Sequence, residues 1–273
     1  MKPPPFAYHR PRTRAEVDHL LAEHGDEAKI LAGGQSLLPI MNMRLSAPEH
    51  VIDINALEDE PSQPQLDDGV VHFGPLVRQA ALERWSDLET NVPALSEAIA
   101  YTAHPAIRSR GTVVGSIAHA DPAAELPAAV LALDGEVKAR SAGGTRSIPA
   151  RDFFLGALET ALEPTEWVEE VAVPTAQTGT GYAVEEFAYR HGDYAICGVV
   201  AVARRSGETT LVHFGVSPLA MRTKLPDGRA ETIREALADA EMTGDLHATA
   251  AYRRRLAEVL GARAAARAAE AAR

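Results

Sequence analysis

Cysteine is almost missing from this chain: one residue, Cys197, among 273. A single thiol closes no internal disulfide and holds no iron–sulfur cluster, which takes about four thiolates, or two with two histidines. Any one-electron traffic through the chain must then use an organic cofactor. Cys197 itself sits in the apolar run Ala195-Ile196-Cys197-Gly198-Val199-Val200. Positive charge is also scarce, with 27 Lys and Arg against 38 Asp and Glu and a formal net charge of -11. Nucleic-acid backbones and anionic membranes are read by clustered cations, so neither is expected as the principal partner. No apolar stretch reaches the roughly 20 residues that span a bilayer, and the start, Met1-Lys2-Pro3-Pro4-Pro5, has no apolar leader core. The chain therefore reads as cytoplasmic. The 10 histidines show neither His-Glu-x-x-His nor His-x-His spacing. They are read as surface or core residues, and no metal site is expected.

What is present is enough apolar material, 46% of residues, for a substantial core. The length suits one large or two ordinary domains. Ala28 to Leu31 reads as a buried strand delivering Ala32-Gly33-Gly34-Gln35-Ser36-Leu37. Paired glycines let successive N–H groups converge on one point with no Cβ in the way, Ser36 adds a hydroxyl, and a helix starting near Leu37 would favour negative charge there. A Cβ on Gly34 is expected to block those donors. Taken alone, such a loop is usually a plain glycine turn ending a strand.

The flanking elements form an α/β pattern. Thr13-Arg14-Ala15-Glu16 is a capping box ahead of Val17, Leu20 and Leu21 at helical spacing, and His50 to Ile54 reads as a second strand. Glu58 to Asp68 is polar and marks a joint. Val70 to Phe73 is a strand, Pro75 to Leu82 and Pro93 to Tyr101 are helices, and Glu125 to Leu133 is another. Gly135 to Arg140 and Thr145 to Ile148 make a hairpin through Ala142-Gly143-Gly144. Phe153 and Phe154 belong to the core, Val168 to Val173 is a closing strand, and Pro174 to Gly181 is a linker. Strands over Tyr182 to Tyr189 and Leu211 to Val216, a helix over Arg229 to Ala240 and a helical tail from His247 complete the chain. The tail's arginines are expected to form a solvated face.

A second glycine-bearing stretch, Arg110-Gly111-Thr112-Val113-Val114-Gly115-Ser116, repeats the ingredients of the first and leads to Asp121-Pro122. Asp121 reads as the cap of the following helix, with Pro122 at its first position, or as an acceptor for a cofactor hydroxyl. The two stretches together resemble the FAD-binding medium subunit of molybdenum hydroxylases, the family of aerobic carbon monoxide dehydrogenase and xanthine dehydrogenase. In that family an Ala-Gly-Gly-x-Ser loop and a Thr-x-Gly-Gly-Ser or Asn loop hold the FAD diphosphate. Ala32, Gly33, Gly34, Gln35, Ser36 and Leu37 match the first loop. Thr112, Gly115 and Ser116 match the second, with Val114 where a glycine is usual. Gly192-Asp193-Tyr194-Ala195-Ile196 also resembles the family, which implies that Tyr194 lies by the isoalloxazine; from the residues alone it reads as a turn tyrosine. Glu186 stands where relatives often have lysine.

The resemblance implies an α+β fold: a two-lobed, PCMH-type FAD-binding domain over residues 1–175, with lobes of about 1–57 and 58–175. A smaller C-terminal α+β domain of antiparallel strands and helices follows over 176–273. It implies an oxidoreductase subunit whose own cofactor is FAD. The molybdenum cofactor and [2Fe-2S] clusters would lie only in partners, a molybdenum-binding large subunit and an iron–sulfur small subunit. Electrons would pass from the iron–sulfur subunit through FAD to an external acceptor, with no catalytic acid or base needed in this chain. Two other readings stay open: a self-contained flavin oxidoreductase, and a non-redox module that binds another phosphate ligand.

Overall fold

The structure is a computed structural model that describes residues 2–58 and 60–273. Met1, at the start of the sequence, and Asp59, in the expected joint, lie outside the described residues. The architecture is α+β.

Strands β1 (Ala7–His9), β2 (Ala28–Leu31) and β3 (His50–Asp53) form a parallel sheet in the order β1-β3-β2. The helix Arg14–His24 packs on it, burying Val17 and Leu21 against Ala28, Ile52 and Ile54. Thr13 caps this helix by accepting from the Glu16 N–H at 3.2 Å, while the Glu16 carboxylate accepts from the Arg12 N–H rather than closing on Thr13.

The second sheet is antiparallel. It joins β4 (Gln65–Asp67), β5 (Val70–Phe73), β6 (Glu136–Ser141), β7 (Gly144–Pro149) and β10 (Trp167–Pro174) in the order β4-β5-β10-β6-β7; a small ladder of β8 (Phe154–Gly156) and β9 (Glu159–Thr160) lies beside it. The β6–β7 hairpin turns at the expected glycines. Pro75 to Leu82 departs from expectation, because the helix begins only at Gln79. Val77 accepts from the Val113 N–H at 2.9 Å and Gln79 donates to Gly111 at 2.8 Å, so a ladder to the second glycine stretch holds this segment extended.

A polar cluster ties the two sheets. The buried Asp18 carboxylate accepts from Trp167 Nε1 at 2.9 Å and from Arg140 Nε at 2.9 Å, while buried Glu169 accepts from Arg14 and Arg140. Both of those donors reach Glu169 Oε1; Oε2 has no hydrogen-bond partner among the described residues and is faced only by the Lys138 ammonium at 3.7 Å, and buried carboxylates depend on such partners to stay charged.

The chain ends in an antiparallel meander, β11 (Thr180–Phe187), β12 (Cys197–Arg204), β13 (Thr209–Phe214) and β14 (Met221–Leu225). Both of its faces are covered, which is why β12 reads as a continuous apolar run. Val200 and Val212 face the helices Pro93–Tyr101 and Glu125–Ala132, and Val199, Ala201 and Ala203 face the C-terminal helix Ala250–Ala271. One apolar cluster thus runs from the second sheet through those helices into the meander. Gly181 is required where the C-terminal helix crosses β11: a Cβ there would lie 1.9 Å from Ala268 O.

The tail's arginines are not all a solvated face. Arg253 donates to Gly215 O at 2.7 Å, Arg254 to Ala240 O at 2.6 Å, and Arg267 to Glu97 at 3.0 Å and Glu185 at 2.8 Å. They bind backbone carbonyls and carboxylates brought up by distant segments, which the periodicity of the tail does not reveal.

Candidate cofactor site

Between β2 and the helix Leu37–Asn42 the backbone of Ala32 to Ser36 is irregular. Asn55 pins it by donating to Ala32 O at 2.8 Å, and Arg78 in turn donates to Asn55 Oδ1. Among the described residues, the amides of Gly33, Gly34, Gln35, Ser36 and Leu37 donate to no backbone or side-chain acceptor. The Ser36 side chain makes no capping bond, which leaves its hydroxyl free as well. Gly34 sits at φ +73°, a left-handed conformation that side chains resist. Its absent Cβ would meet the methyl groups of Leu38 and Leu31 at 3.0 and 3.1 Å. Gly34 is thus needed for its backbone angle, and its absent Cβ faces leucine methyl groups of the chain. Close approach belongs to Gly33, where a Cβ would fall 2.5 Å from Arg110 O and 2.7 Å from Gly111 Cα.

The second stretch is a different object. Thr112 caps the helix Val113–His119, accepting through Oγ1 from the Gly115 N–H at 3.0 Å. Gly115 makes room for that cap, since a Cβ there would lie 2.5 Å from Thr112 Oγ1. The Ser116 N–H donates to Thr112 O and the Val113 N–H to Val77 O. Val114, where the resembled family usually has glycine, is helical, has no positive φ and is only 4% exposed in the main apolar cluster.

Where the two stretches meet, a cavity of about 710 Å³ opens. It is lined by Ala32, Gly33, Gly34, Gln35, Ser36 and Leu37, by Thr112, Val114, Gly115 and Ser116, and by Tyr194. Tyr194 is 67% exposed, so much of its surface is uncovered by the chain. Asp121 is not a lining residue: its Oδ1 accepts from the Ala123 N–H at 2.9 Å in a turn, and the next helix starts at Glu125 with Ala124 as its N-cap. Asp121 therefore caps no helix, and Pro122 is not a first helical residue.

Three lining residues escaped the sequence reading. Gln79 is buried, and its Oε1 has no partner. Thr102 donates from Oγ1 to Glu125 Oε2 at 3.3 Å. Glu125 is 6% exposed, and burial pushes its carboxyl up to about 7. A lone carboxylate in Glu125-Leu126-Pro127-Ala128-Ala129-Val130 was the available signal, because an acid on an otherwise apolar helix is either buried with purpose or misplaced. Behind it Glu186, with Oε2 unpartnered, is raised to about 8 by burial and by the negative charge of Glu125.

This is an α+β protein with a cofactor-sized cleft and a row of unpaired amide donors at its mouth. A family model described as "FAD binding domain in molybdopterin dehydrogenase" matches residues 4–176. The chain is 45% identical over 202 residues to 6-hydroxypseudooxynicotine dehydrogenase complex subunit alpha of Paenarthrobacter nicotinovorans, covering 74% of this chain and 68% of that one. It is 37% identical over 246 residues to the carbon monoxide dehydrogenase medium chain of Hydrogenophaga pseudoflava, covering 86% and 83%. A solved structure of carbon monoxide dehydrogenase from H. pseudoflava, lacking the Mo-pyranopterin moiety of its molybdenum cofactor, superposes with a TM-score of 0.90 at 34% identity over 98% of each chain. The chain belongs to this family of FAD-binding subunits of molybdenum hydroxylases: it is an oxidoreductase subunit, and its cofactor is FAD. Among the described residues, no helix is long and apolar enough to cross a membrane.

Proposed function

We propose that the amides of Gly33, Gly34, Gln35, Ser36 and Leu37 hold the FAD diphosphate, and that this chain relays electrons from an iron–sulfur small subunit to an external acceptor. The single observation behind this reading is that run of five unpaired donors, set where Gly33 lets Arg110 and Gly111 approach without a Cβ between them. The residues fit the cofactor. Backbone amides and the free Ser36 hydroxyl suit a diphosphate, Gln79 Oε1 offers a buried acceptor to a hydroxyl, and Tyr194 offers a ring to stack against or shield the isoalloxazine. When bound, FAD accepts and releases electrons singly or in pairs.

The protein's part is to bind, orient and exclude water. Thr112, Val114, Gly115 and Ser116 line the opposite part of the cavity, and Arg110 and Gly111 lie against Gly33 of the first loop. Glu125, with its carboxyl at about 7, can hold or give up a proton at the cleft near neutral pH. Cys197 takes no part, because burial pushes its thiol up to about 12 and keeps it from being a ligand. We assign residues 1–57 and 58–175 to two lobes of the FAD-binding domain and 176–273 to the C-terminal domain, working in the cytoplasm with an iron–sulfur and a molybdenum-binding subunit.

Size-exclusion chromatography of the three co-expressed chains, with flavin, iron and molybdenum measured in each fraction, tests the relay. Coincident peaks, with dye reduction only by the heteromer, are expected. Full turnover by this chain alone would sink the reading and leave a self-contained oxidoreductase.

A further inference from the structure

His9, His24 and His50 are distant in sequence but meet at one edge of the first sheet. The periodicities of their elements bring them there. In the parallel pairing of β1 with β3, Ala7 lies opposite His50 and His9 opposite Ile52, so His9 and His50 stand on the same face as buried Ile52. On the covering helix, His24 continues the stripe of buried Val17 and Leu21 at the i, i+4, i+7 spacing. The apolar layer between helix and sheet therefore ends in three half-buried imidazoles. The His24 and His50 rings lie with centroids 3.6 Å apart and planes within 10°, and His9 Nε2 is 2.9 Å from His50 Nδ1.

We propose that His9, His24 and His50 form a binding site for a divalent transition-metal ion that prefers imidazole, with zinc as its type. One ring nitrogen from each histidine lies within 4.8 Å of the other two. Tetrahedral zinc with Zn–N bonds of about 2.0–2.1 Å needs nitrogens about 3.4 Å apart with ring lone pairs that converge, so the His24 and His50 rings, stacked with nearly parallel planes, must turn away from each other to share one ion. Glu27 and Glu49 stand next to the cluster, each placing a carboxylate oxygen within 4.8 Å of a His50 nitrogen and of the other. Either one, or water, can complete a four-coordinate sphere. All-nitrogen and carboxylate donors select zinc-like ions over calcium or magnesium, which take oxygen ligands. None of the three histidines lines the FAD cleft, although Leu21, Gly25 and Asp26, beside His24 in the chain, do. The consequence of metal binding is structural: β1 is a three-residue edge strand paired only with β3, and an ion held by its last residue, the helix end and the start of β3 would fasten all three.

The test uses the full-length, tag-free, metal-stripped protein titrated with Zn²⁺ by calorimetry and with Co²⁺ followed by visible absorption. One equivalent of Zn²⁺ is expected to bind at micromolar concentration or tighter. Co²⁺ should give the intense visible bands of a four-coordinate ion, displaced by Zn²⁺. His24→Ala should weaken Zn²⁺ by more than the roughly 10–100-fold that a merely supporting residue costs. His19→Ala, an exposed position on the same helix, should leave binding unchanged. Equal Zn²⁺ affinity in wild type and His24→Ala, or only the faint spectrum of six-coordinate Co²⁺ in the unaltered protein, would overturn the site and leave a stack of neutral rings. The Co²⁺ spectrum decides the matter even if a variant fails to fold.

Discussion

The two glycine stretches look alike in sequence and do opposite things in structure. Ala32 to Leu37 is an open loop in which the amides from Gly33 to Leu37 have no acceptor among the described residues, whereas in Thr112 to Ser116 the Gly115 and Ser116 amides go to the helix's own first turn, the Val113 amide goes to Val77, and those of Thr112 and Val114 alone are unpaired among the described residues. The glycines differ too. Gly34 supplies a positive φ, Gly33 supplies proximity to the other stretch, and Gly115 only clears space for Thr112. A Gly-Ser pair is thus a binding signal only where the backbone around it has no other use for its donors. On the proposed reading the first stretch binds, and the second shapes.

The largest effect should come from Gly33→Ala. The new Cβ must push against backbone atoms of Arg110 and Gly111, which have no rotamer through which to yield. Separating the stretches would misplace two or three charge-assisted bonds worth about 1.5–3 kcal/mol each, a loss of FAD affinity of at least about 100-fold. Fluorescence titration of flavin, with circular dichroism to confirm the fold, reads it. Retention of a full complement of FAD would show that the loop is not the diphosphate site.

Val114→Gly should be nearly as costly, but to stability rather than binding. Resemblance to a glycine loop suggests that glycine at 114 is harmless or even tightens FAD. Its helical, buried position says otherwise. Removing a buried valine side chain and placing glycine in a helix together cost about 3 kcal/mol, read from urea unfolding of the apoprotein. Unchanged stability would mean that the second stretch is a loop after all.

Glu125 sharpens the comparison by pH, since it lines the same cleft beyond the second stretch. Its carboxyl at about 7 lies above the ordinary 4.5, so between those values the folded chain keeps a proton that the unfolded chain has released. The stabilisation is complete below about pH 4.5 and is lost as pH rises through about 7, an upper bound of about 3 kcal/mol. Glu186, raised to about 8, extends the decline. Glu125→Gln should flatten the fall in unfolding free energy between about pH 5 and pH 9, leaving the part due to Glu186. A variant as steeply pH-dependent as the parent would remove Glu125 from the role.

Local chemistry made much of the fold legible. The Thr13 cap, the helix Pro93–Tyr101 and the β6–β7 hairpin each follow from a few adjacent residues whose preferences agree with their surroundings. Expectation failed where a distant segment decided the outcome. The Val77–Val113 ladder straightens a stretch that reads as helix, and Gly215, Ala240 and Glu97 recruit arginines that read as solvated. The same holds for the site. The first loop was legible because its glycines and serine are contiguous, but Gln79, Thr102 and Glu125 reach the cleft from three separate elements. His9, His24 and His50 carry no motif spacing because the sheet, not the sequence, gathers them.

The smallest effects give the cleanest contrast between the stretches, because Ser36 and Thr112 are both hydroxyl residues just ahead of a helix. Thr112 uses its Oγ1 to accept from Gly115, and Ser36 makes no such bond. Removing an N-cap hydroxyl costs about 1 kcal/mol of stability. Thr112→Ala should therefore lower the unfolding free energy by about that amount while FAD affinity stays within about twofold. Ser36→Ala should do the reverse: stability stays level, and FAD affinity falls about tenfold, the worth of one hydrogen bond of about 1.5 kcal/mol to a charged group. Measuring both quantities on both variants fills a two-by-two comparison in which only the off-diagonal cells should stay unchanged. If Thr112→Ala loses flavin as strongly as Ser36→Ala, the Thr112 hydroxyl turns from its cap to the cofactor on binding, and the second stretch binds as well as shapes.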